Sequence, residues 1–410
     1  MMKSLLFVTN DYPFKTGDSA FIRNEIDYVS KKFHAVHILP MASRENCGFW
    51  QVPENVVVHV SKFNIVHRLF TFIPVFFSFS FYSEIFLLIK KRSFSFKSAS
   101  MAMRFLSGAI LTEIKIKQIL KRDKSICLIY TYWYWYATMA ALRLKENRSL
   151  KCVTRTHRFD LYKFRNNQNY QPYKTYMDKK IDKIFFISKN GYDYYIKEFA
   201  GSEDKKYLIS RLGIVNKYDV DIKKSKDKFI LLSCSNMVPV KRVDLIVKSL
   251  AEIDEISIHW IHIGDGMLNE NISSMADDLL GPKKNIAFEF KGYMHNDNLM
   301  EYYCNNYVDC FISISESEGL PVSMMEAISF GVPVIATNVG GVSELVNSDI
   351  GALLDPRGDI EEVKKAIIGI SKLPKEKMAI LRKNARLLWE SSFNAEVNSA
   401  KFAEELASII

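Results

Sequence analysis

The six cysteines, Cys47, Cys127, Cys152, Cys234, Cys304 and Cys310, are scattered, and no two form a Cys-x-x-Cys pair. Their spacing implies neither a cysteine zinc site nor a disulfide framework, so a reducing, cytoplasmic compartment is expected. The histidines show no paired ligand spacing, and no Asp-x-Asp follows a strand pattern, so no metal or other cofactor is expected. Internal repeats and low-complexity segments are missing. So is a bilayer-crossing run: the uncharged aromatic stretch from Leu69 holds about 15 residues against the ~20 a spanning helix needs, and Pro74 and Glu84 interrupt the region. The first apolar run stops at Asn10-Asp11 without a small-residue cleavage site, and reads as a strand rather than a secretion signal. No basic helix-turn-helix or aromatic-repeat motif is present, and nucleic acid is not an expected partner.

What is present suits two globular domains in 410 residues. The 28 Phe and 20 Tyr read as core filling. Charge is divided unequally: residues 1–200 hold 32 Lys and Arg against 15 Asp and Glu, while the remainder holds 24 against 31. An acidic partner for the first half follows. The excess peaks between Lys62 and Lys124, with 12 basic residues against 3 acidic. That segment also contains the aromatic run from Leu69 to Ile89, followed by Lys90-Lys91-Arg92. Two readings stand. One is a monotopic surface, with aromatic side chains in the interface and cations on the headgroups of an anionic membrane. The other is a buried helix with a solvated basic face.

Short apolar runs alternate with longer helical patterns, as in parallel βαβ sheets. Strands are expected at 5–9, 35–39, 56–60, 127–131, 151–154, 183–187 and 206–209, and again at 229–234, 256–263, 286–290, 310–314 and 332–336. The polar stretch 213–228 has no apolar period. The expected division is a first domain over 1–212, a linker over 213–228, a second domain over 229–392 and a terminal helix over 393–410.

One local pattern is more specific. Glu318 and Glu326 bracket seven residues that contain a Gly319-Leu320-Pro321 turn. A buried-strand pattern precedes them. A helix is then expected over 321–330, with Pro321 at its start, Val322 next, Gly331 just past its end and Pro333 beyond. Glu318 falls on the strand-to-helix loop, and Glu326 about a turn and a half inside the helix. Backbone donors at a helix start attract anions. Two flanking carboxylates suit a ligand that carries phosphate and hydroxyl groups together.

This pattern resembles the E-x7-E signature of family 4 glycosyltransferases. The resemblance implies an α/β chain of GT-B fold: two facing Rossmann-like domains with parallel sheets and a cleft between them. It implies that Glu318 lies by the donor sugar and that Glu326 hydrogen-bonds the nucleotide ribose. It also implies that the last helix returns to the first domain.

Other segments match the same family in part. Asn236 stands where the family usually has Arg, while Lys241 matches the family's diphosphate-binding Lys, with Arg242 beside it as a substitute charge. Gly264-Asp265-Gly266 resembles the family's loop at the sheet edge, and Tyr293-Met294 falls where the base is commonly met. In the first half, Gly17 remains from a Gly-rich loop that faces donor phosphates and acceptor. Thr156-His157-Arg158-Phe159-Asp160 resembles a His-Gly-x-Asp segment whose His reaches the donor sugar. Asp18, Arg158 and Asp160 fall on the acceptor side. The form Ser19-Ala-Phe-Ile-Arg-Asn-Glu25 resembles enzymes that build bacterial surface polysaccharides.

The implied activity is retaining, metal-independent hexosyl transfer from a UDP- or GDP-sugar to a glycan or lipid-linked acceptor. A nucleotide-sugar isomerase of similar fold and a silent scaffold of a polysaccharide assembly complex stand as alternatives.

Overall fold

The computed structural model describes residues 3–42, 47–60, 71–145, 149–166, 168–218 and 228–410. The chain divides into two compact units, Met1–Leu212 with Ala395–Ile410, and Gly213–Asn394.

The first unit is built on seven parallel strands: β1 (Ser4–Thr9), β2 (Val36–Pro40), β3 (Val56–Val58), β4 (Ile126–Thr131), β5 (Lys151–Thr156), β6 (Lys183–Phe186) and β7 (Tyr207–Ile209). Their order across the sheet is β3-β2-β1-β4-β5-β6-β7. Leu5, Leu6 and Phe7 are all fully buried because helices cover both faces, which is why β1 reads as an unbroken apolar run. The helix Ala395–Ser408 belongs to this unit. Its Phe402 ring packs against Tyr130 at 5.2 Å and Phe185 at 4.9 Å. Beneath it, the buried Arg155 guanidinium sits 3.8 Å from the Phe402 ring centroid and pairs with buried Glu25 at 2.5 Å.

The second unit holds six parallel strands: β8 (Phe229–Cys234), β9 (Ile258–Ile263), β10 (Ile286–Phe290), β11 (Cys310–Ser313), β12 (Val334–Thr337) and β13 (Gly351–Leu354). Their order is β10-β9-β8-β11-β12-β13. The last strand lies outside the expected set. It is four residues long and starts at a glycine whose Cβ would stand 1.9 Å from the Val334 carbonyl oxygen. That close approach to β12 requires Gly351, and a lone Gly ahead of Ala-Leu-Leu does not advertise a strand.

The expected linker 213–228 is only partly a connection. Ile214 N–H donates to the Phe393 carbonyl at 3.0 Å, and Asn216 donates to the Ser329 carbonyl at 3.0 Å, so 213–218 is tied into the second unit. Residues 219–227 lie outside the described residues, as do Lys62, His67, Leu69 and Phe70.

In each sheet the strand order reverses between two neighbours, β1 and β4 in the first and β8 and β11 in the second. The loops leaving the carboxyl ends of such a strand pair diverge, and open α/β sheets bind ligands there.

Candidate functional site

In the second unit the loops after β8 and β11 meet. Glu316 N–H donates to the Val240 carbonyl at 2.9 Å, and Lys241 Nζ lies 2.5 Å from Glu318 Oε1. The Glu318 side chain is 8% exposed and that of Lys241 25%, so the pair stands at a rim rather than in bulk water. Lys241 closes a short 3-10 turn, Pro239–Lys241, and does not lie in the following helix. Arg242 has a left-handed backbone, φ +50°, and its guanidinium donates to the Gly358 carbonyl at 2.9 Å. It is turned to another loop, so the expected substitute charge next to Lys241 is not delivered there. Asn236 is exposed at the start of the loop.

The helix Val322–Ser329 begins at Pro321 without a side-chain cap. Its first-turn N–H groups are therefore available to an anion, beside Gly319 and Leu320. A pair of glycines after β12 holds this loop from behind. Gly341 N–H donates to the Gly319 carbonyl at 2.8 Å. Gly340 has φ +57°, and a Cβ there would stand 2.0 Å from the Glu318 carbonyl oxygen.

Glu326 is 4% exposed, and its carboxylate accepts from Asn296 Nδ2 at 2.5 Å. Burial pushes its carboxyl up to about 7, with the Asn296 hydrogen bond pulling the other way. Asn296 opens the helix Asn296–Asn305 after β10 and was not marked by any sequence pattern. Tyr293 is 74% exposed just ahead of it, and Met294 packs partly against the core.

The Gly-Asp-Gly loop after β9 acts on the neighbouring loop's backbone. A Cβ on Gly264 (φ +142°) would stand 1.9 Å from the Ser235 carbonyl oxygen, and Met237 N–H donates to the Asp265 carbonyl at 2.9 Å. Buried His262 joins in: its Nδ1 is 2.8 Å from Ser233 Oγ and its Nε2 3.2 Å from the Ser235 carbonyl. Burial pushes the His262 imidazole down to about 4, so it is neutral. Trp260 donates to Ser233 Oγ at 2.9 Å, which leaves the Ser233 hydroxyl to donate to Nδ1. The chain Trp260–Ser233–His262–Ser235 thus shapes the backbone leading to Asn236.

In the first unit the equivalent place is the loop 10–18 after β1. Asp18 is buried, and its carboxylate accepts from the N–H groups of Asn10, Asp11 and Tyr12 at 2.8–3.0 Å and from the Trp133 indole at 3.1 Å. An acceptor-side contact for Asp18 was expected; its oxygens are instead engaged in holding the loop and the Trp133 ring. Gly17 has φ +59°, and a Cβ there would collide with the Asp11 carboxylate.

Asp160 is likewise internal. Its two oxygens accept from the N–H groups of His157 and Tyr134, both at 2.6 Å. Burial raises its carboxyl, while nearby Lys174 opposes the rise; burial in turn lowers the Lys174 amine. Arg158 is half-buried beside it. His157 is 8% exposed, with ring centroids of Tyr132 and Trp133 at 4.5 and 4.4 Å. Neither of its ring nitrogens has a hydrogen-bond partner among the described residues. Burial, then the Arg155 charge, holds its imidazole well below the usual range, so it is neutral.

A cavity of about 350 Å³ opens at this β1/β4 edge. Asn10, Trp133, Trp135, Tyr136 and Phe159 line it. The aromatic residues are therefore not only core filling.

Residues 215–388, nearly all of the second unit, match the family described as glycosyl transferases group 1. A putative colanic acid biosynthesis glycosyltransferase of Escherichia coli is 33% identical over 23% of this chain and 23% of its own length. An uncharacterized glycosyltransferase of Methanocaldococcus jannaschii is 25% identical over 63% of this chain and 69% of its own. The chain thus spans less than a quarter of the first of these two relatives and about two thirds of the second. Among solved structures, sucrose-phosphate synthase from Thermosynechococcus elongatus superposes over 99% of both chains, with TM-score 0.71 and 14% identity. A lipopolysaccharide outer core galactosyltransferase superposes over 98% of this chain and 99% of its own, with TM-score 0.67 and 15% identity. An Anabaena protein in complex with UDP does so over 99% of this chain and 100% of its own, with TM-score 0.66 and 16% identity.

Proposed function

We propose that this chain, a GT-B fold protein related to glycosyltransferases of polysaccharide biosynthesis, moves a hexose-type sugar from a UDP- or GDP-sugar to a glycan or lipid-linked acceptor. The product belongs to a bacterial surface polysaccharide, and the work is done at the cytoplasmic face of the plasma membrane. The observation that carries the reading is the Lys241–Glu318 pair at the β8/β11 reversal, with an uncapped helix start beside it.

In this reading Lys241 and the N–H groups around Gly319, Leu320 and Val322 hold the diphosphate, with Pro321 setting the turn. No metal is needed, because the cation and the backbone donors offset the phosphate charge. Glu318 releases Lys241 to the phosphate and orients the sugar, stabilising the positive charge that develops on it. Glu326 takes the ribose hydroxyls in place of Asn296, and Tyr293 and Met294 border the base. Neutral His157, its ring nitrogens without a partner among the described residues, offers the first unit a hydrogen-bonding group for a sugar hydroxyl. The aromatic cavity of the first unit receives the acceptor, with Trp133 fixed by Asp18.

A double displacement needs a carboxylate nucleophile ~5 Å from an acid partner, and no pair is assigned to that task. Transfer on the same face of the sugar, with the leaving phosphate taking the acceptor proton, retains the anomeric configuration. Catalysis is then positioning and electrostatics.

Product analysis by NMR after incubation with nucleotide sugars and a glycan acceptor tests the class of reaction. A transferred glycoside with the donor's anomeric configuration is expected. An epimerised nucleotide sugar would make the protein an isomerase, and unchanged donors across the panel would make it a scaffold.

A further inference from the structure

The membrane placement in that reading needs a surface on the protein. We infer that the helices Phe72–Phe76 and Phe79–Lys90, with the start of Phe96–Arg122, form a face that rests on an anionic phospholipid bilayer. The inference rests on the membrane placement alone and not on the transfer chemistry.

The helix Phe79–Lys90 is inverted relative to an ordinary surface helix. Its one acid, Glu84, points inward: it is 5% exposed and accepts from the Tyr170 hydroxyl at 2.6 Å and from Tyr173 N–H at 2.9 Å. Leu88, four residues on, is buried with it. The outward stripe is Phe79, Tyr82, Phe86 and Ile89, spaced by three and four residues and therefore on one side of the helix. Phe79 is 86% exposed and Phe86 68%. The neighbouring segments extend the stripe, with Ile73, Phe76 and Phe77 before it and Phe94 and Phe96 after it. Phe77 and Phe96 are 85% and 88% exposed, Phe96 with the Phe94 ring edge-on at 6.1 Å.

Isolated apolar side chains on a surface are ordinary, but a contiguous aromatic group marks something that covers it. Charge says which kind of cover. Lys90, Lys91, Arg92 and Lys97 are exposed in and around the turn that joins the two longer helices. Among the described residues from 71 to 97, Glu84 is the only acid, and it faces inward. Within this segment the outer face thus presents aromatic rings and cations; Glu198, in electrostatic reach of Lys91, is already paired with Lys163 at 2.8 Å. Rings at the headgroup boundary and cations on anionic headgroups use both sets. No helix among the described residues is long and apolar enough to cross a membrane, which fits a face that lies on the bilayer.

Co-sedimentation of the full chain with vesicles tests the inference. One set contains phosphatidylcholine alone, the other phosphatidylcholine with phosphatidylglycerol. The wild type is expected to sediment with the second set. The double variant Phe79→Glu/Phe86→Glu leaves Glu84 and Leu88 in place and is expected to lose at least about 10-fold in partition. The triple variant Lys90→Ser/Lys91→Ser/Arg92→Ser is expected to lose on the order of 100-fold for the anionic vesicles and with it the preference for them. Unchanged thermal melts establish that both variants are folded. Wild-type partition in both variants would overturn the inference. So would a wild type that ignores vesicles but forms a dimer that Phe79→Glu/Phe86→Glu dissociates, since the face would then bind a second copy. Vesicle binding without sugar transfer would refute the transfer reading and leave this one standing.

Discussion

Glu326 shows how one buried group carries both a cost and a use. Its carboxyl is raised from 4.5 to about 7 by burial. The folded protein therefore holds a proton that the unfolded chain has already released. Stability from this group is full below about pH 4.5 and is lost as pH rises towards 7, at about 1.4 kcal/mol per pH unit across the window. Above 7 the site carries a buried anion held by Asn296, ready for hydroxyl donors. Urea denaturation of the wild type and Glu326→Gln at pH 5 and pH 8 should show the wild type losing stability relative to the variant as pH rises. Parallel profiles would mean that the carboxyl titrates normally and that burial does not govern it. His157 is the corresponding case in the first unit, a neutral imidazole whose two nitrogens have no hydrogen-bond partner among the described residues.

At the scale of elements, the working parts are loops held by other loops. Gly340 illustrates this, since its close approach to the Glu318 carbonyl leaves no room for a side chain. Gly340→Ala should cost about 1–3 kcal/mol through the strained positive φ. By moving Glu318 it should also lower transfer on the order of 100-fold, the scale of a 1 Å misplacement. A variant with wild-type turnover would show that the Glu318 loop does not depend on this clasp. Much of this arrangement was legible in the sequence. The loop that carries Glu318 follows an apolar run and ends at Pro321, the helix around Glu326 stops before Gly331, and the loop that carries Lys241 follows the apolar run 229–234 and contains Pro239. What was not legible depends on partners distant in the chain. Asp18 reads as an acceptor-side residue, yet it gathers three backbone N–H groups and an indole 115 positions away. Arg242 reads as a phosphate ligand, yet its left-handed backbone sends it to Gly358. Asn296 and His262 carry no local signature, because Asn296 meets Glu326 on another helix and His262 meets Ser233 on the neighbouring strand. The strand β13 went unread for the same reason: its glycine is explained only by the neighbour it touches.

At the scale of the molecule, both units repeat one plan: a parallel sheet with a reversal of strand order, and loops at the carboxyl edge of the reversal, where open α/β sheets bind ligands. The chain's charge follows this division, with a basic first half and an acidic second. The second unit, the more acidic, is where an anionic nucleotide is proposed to bind, so its local cation has to do what the overall charge does not. With Arg242 engaged elsewhere and Asn236 in place of Arg, Lys241 carries that task together with the helix start. The most direct measurement is therefore titration calorimetry of UDP and GDP on the wild type and on Lys241→Ala. One nucleotide should bind the wild type, and Lys241→Ala should weaken that binding at least about 10-fold, the scale of one lost charge-assisted contact. No binding of either nucleotide, or equal affinity in the variant, would contradict the account.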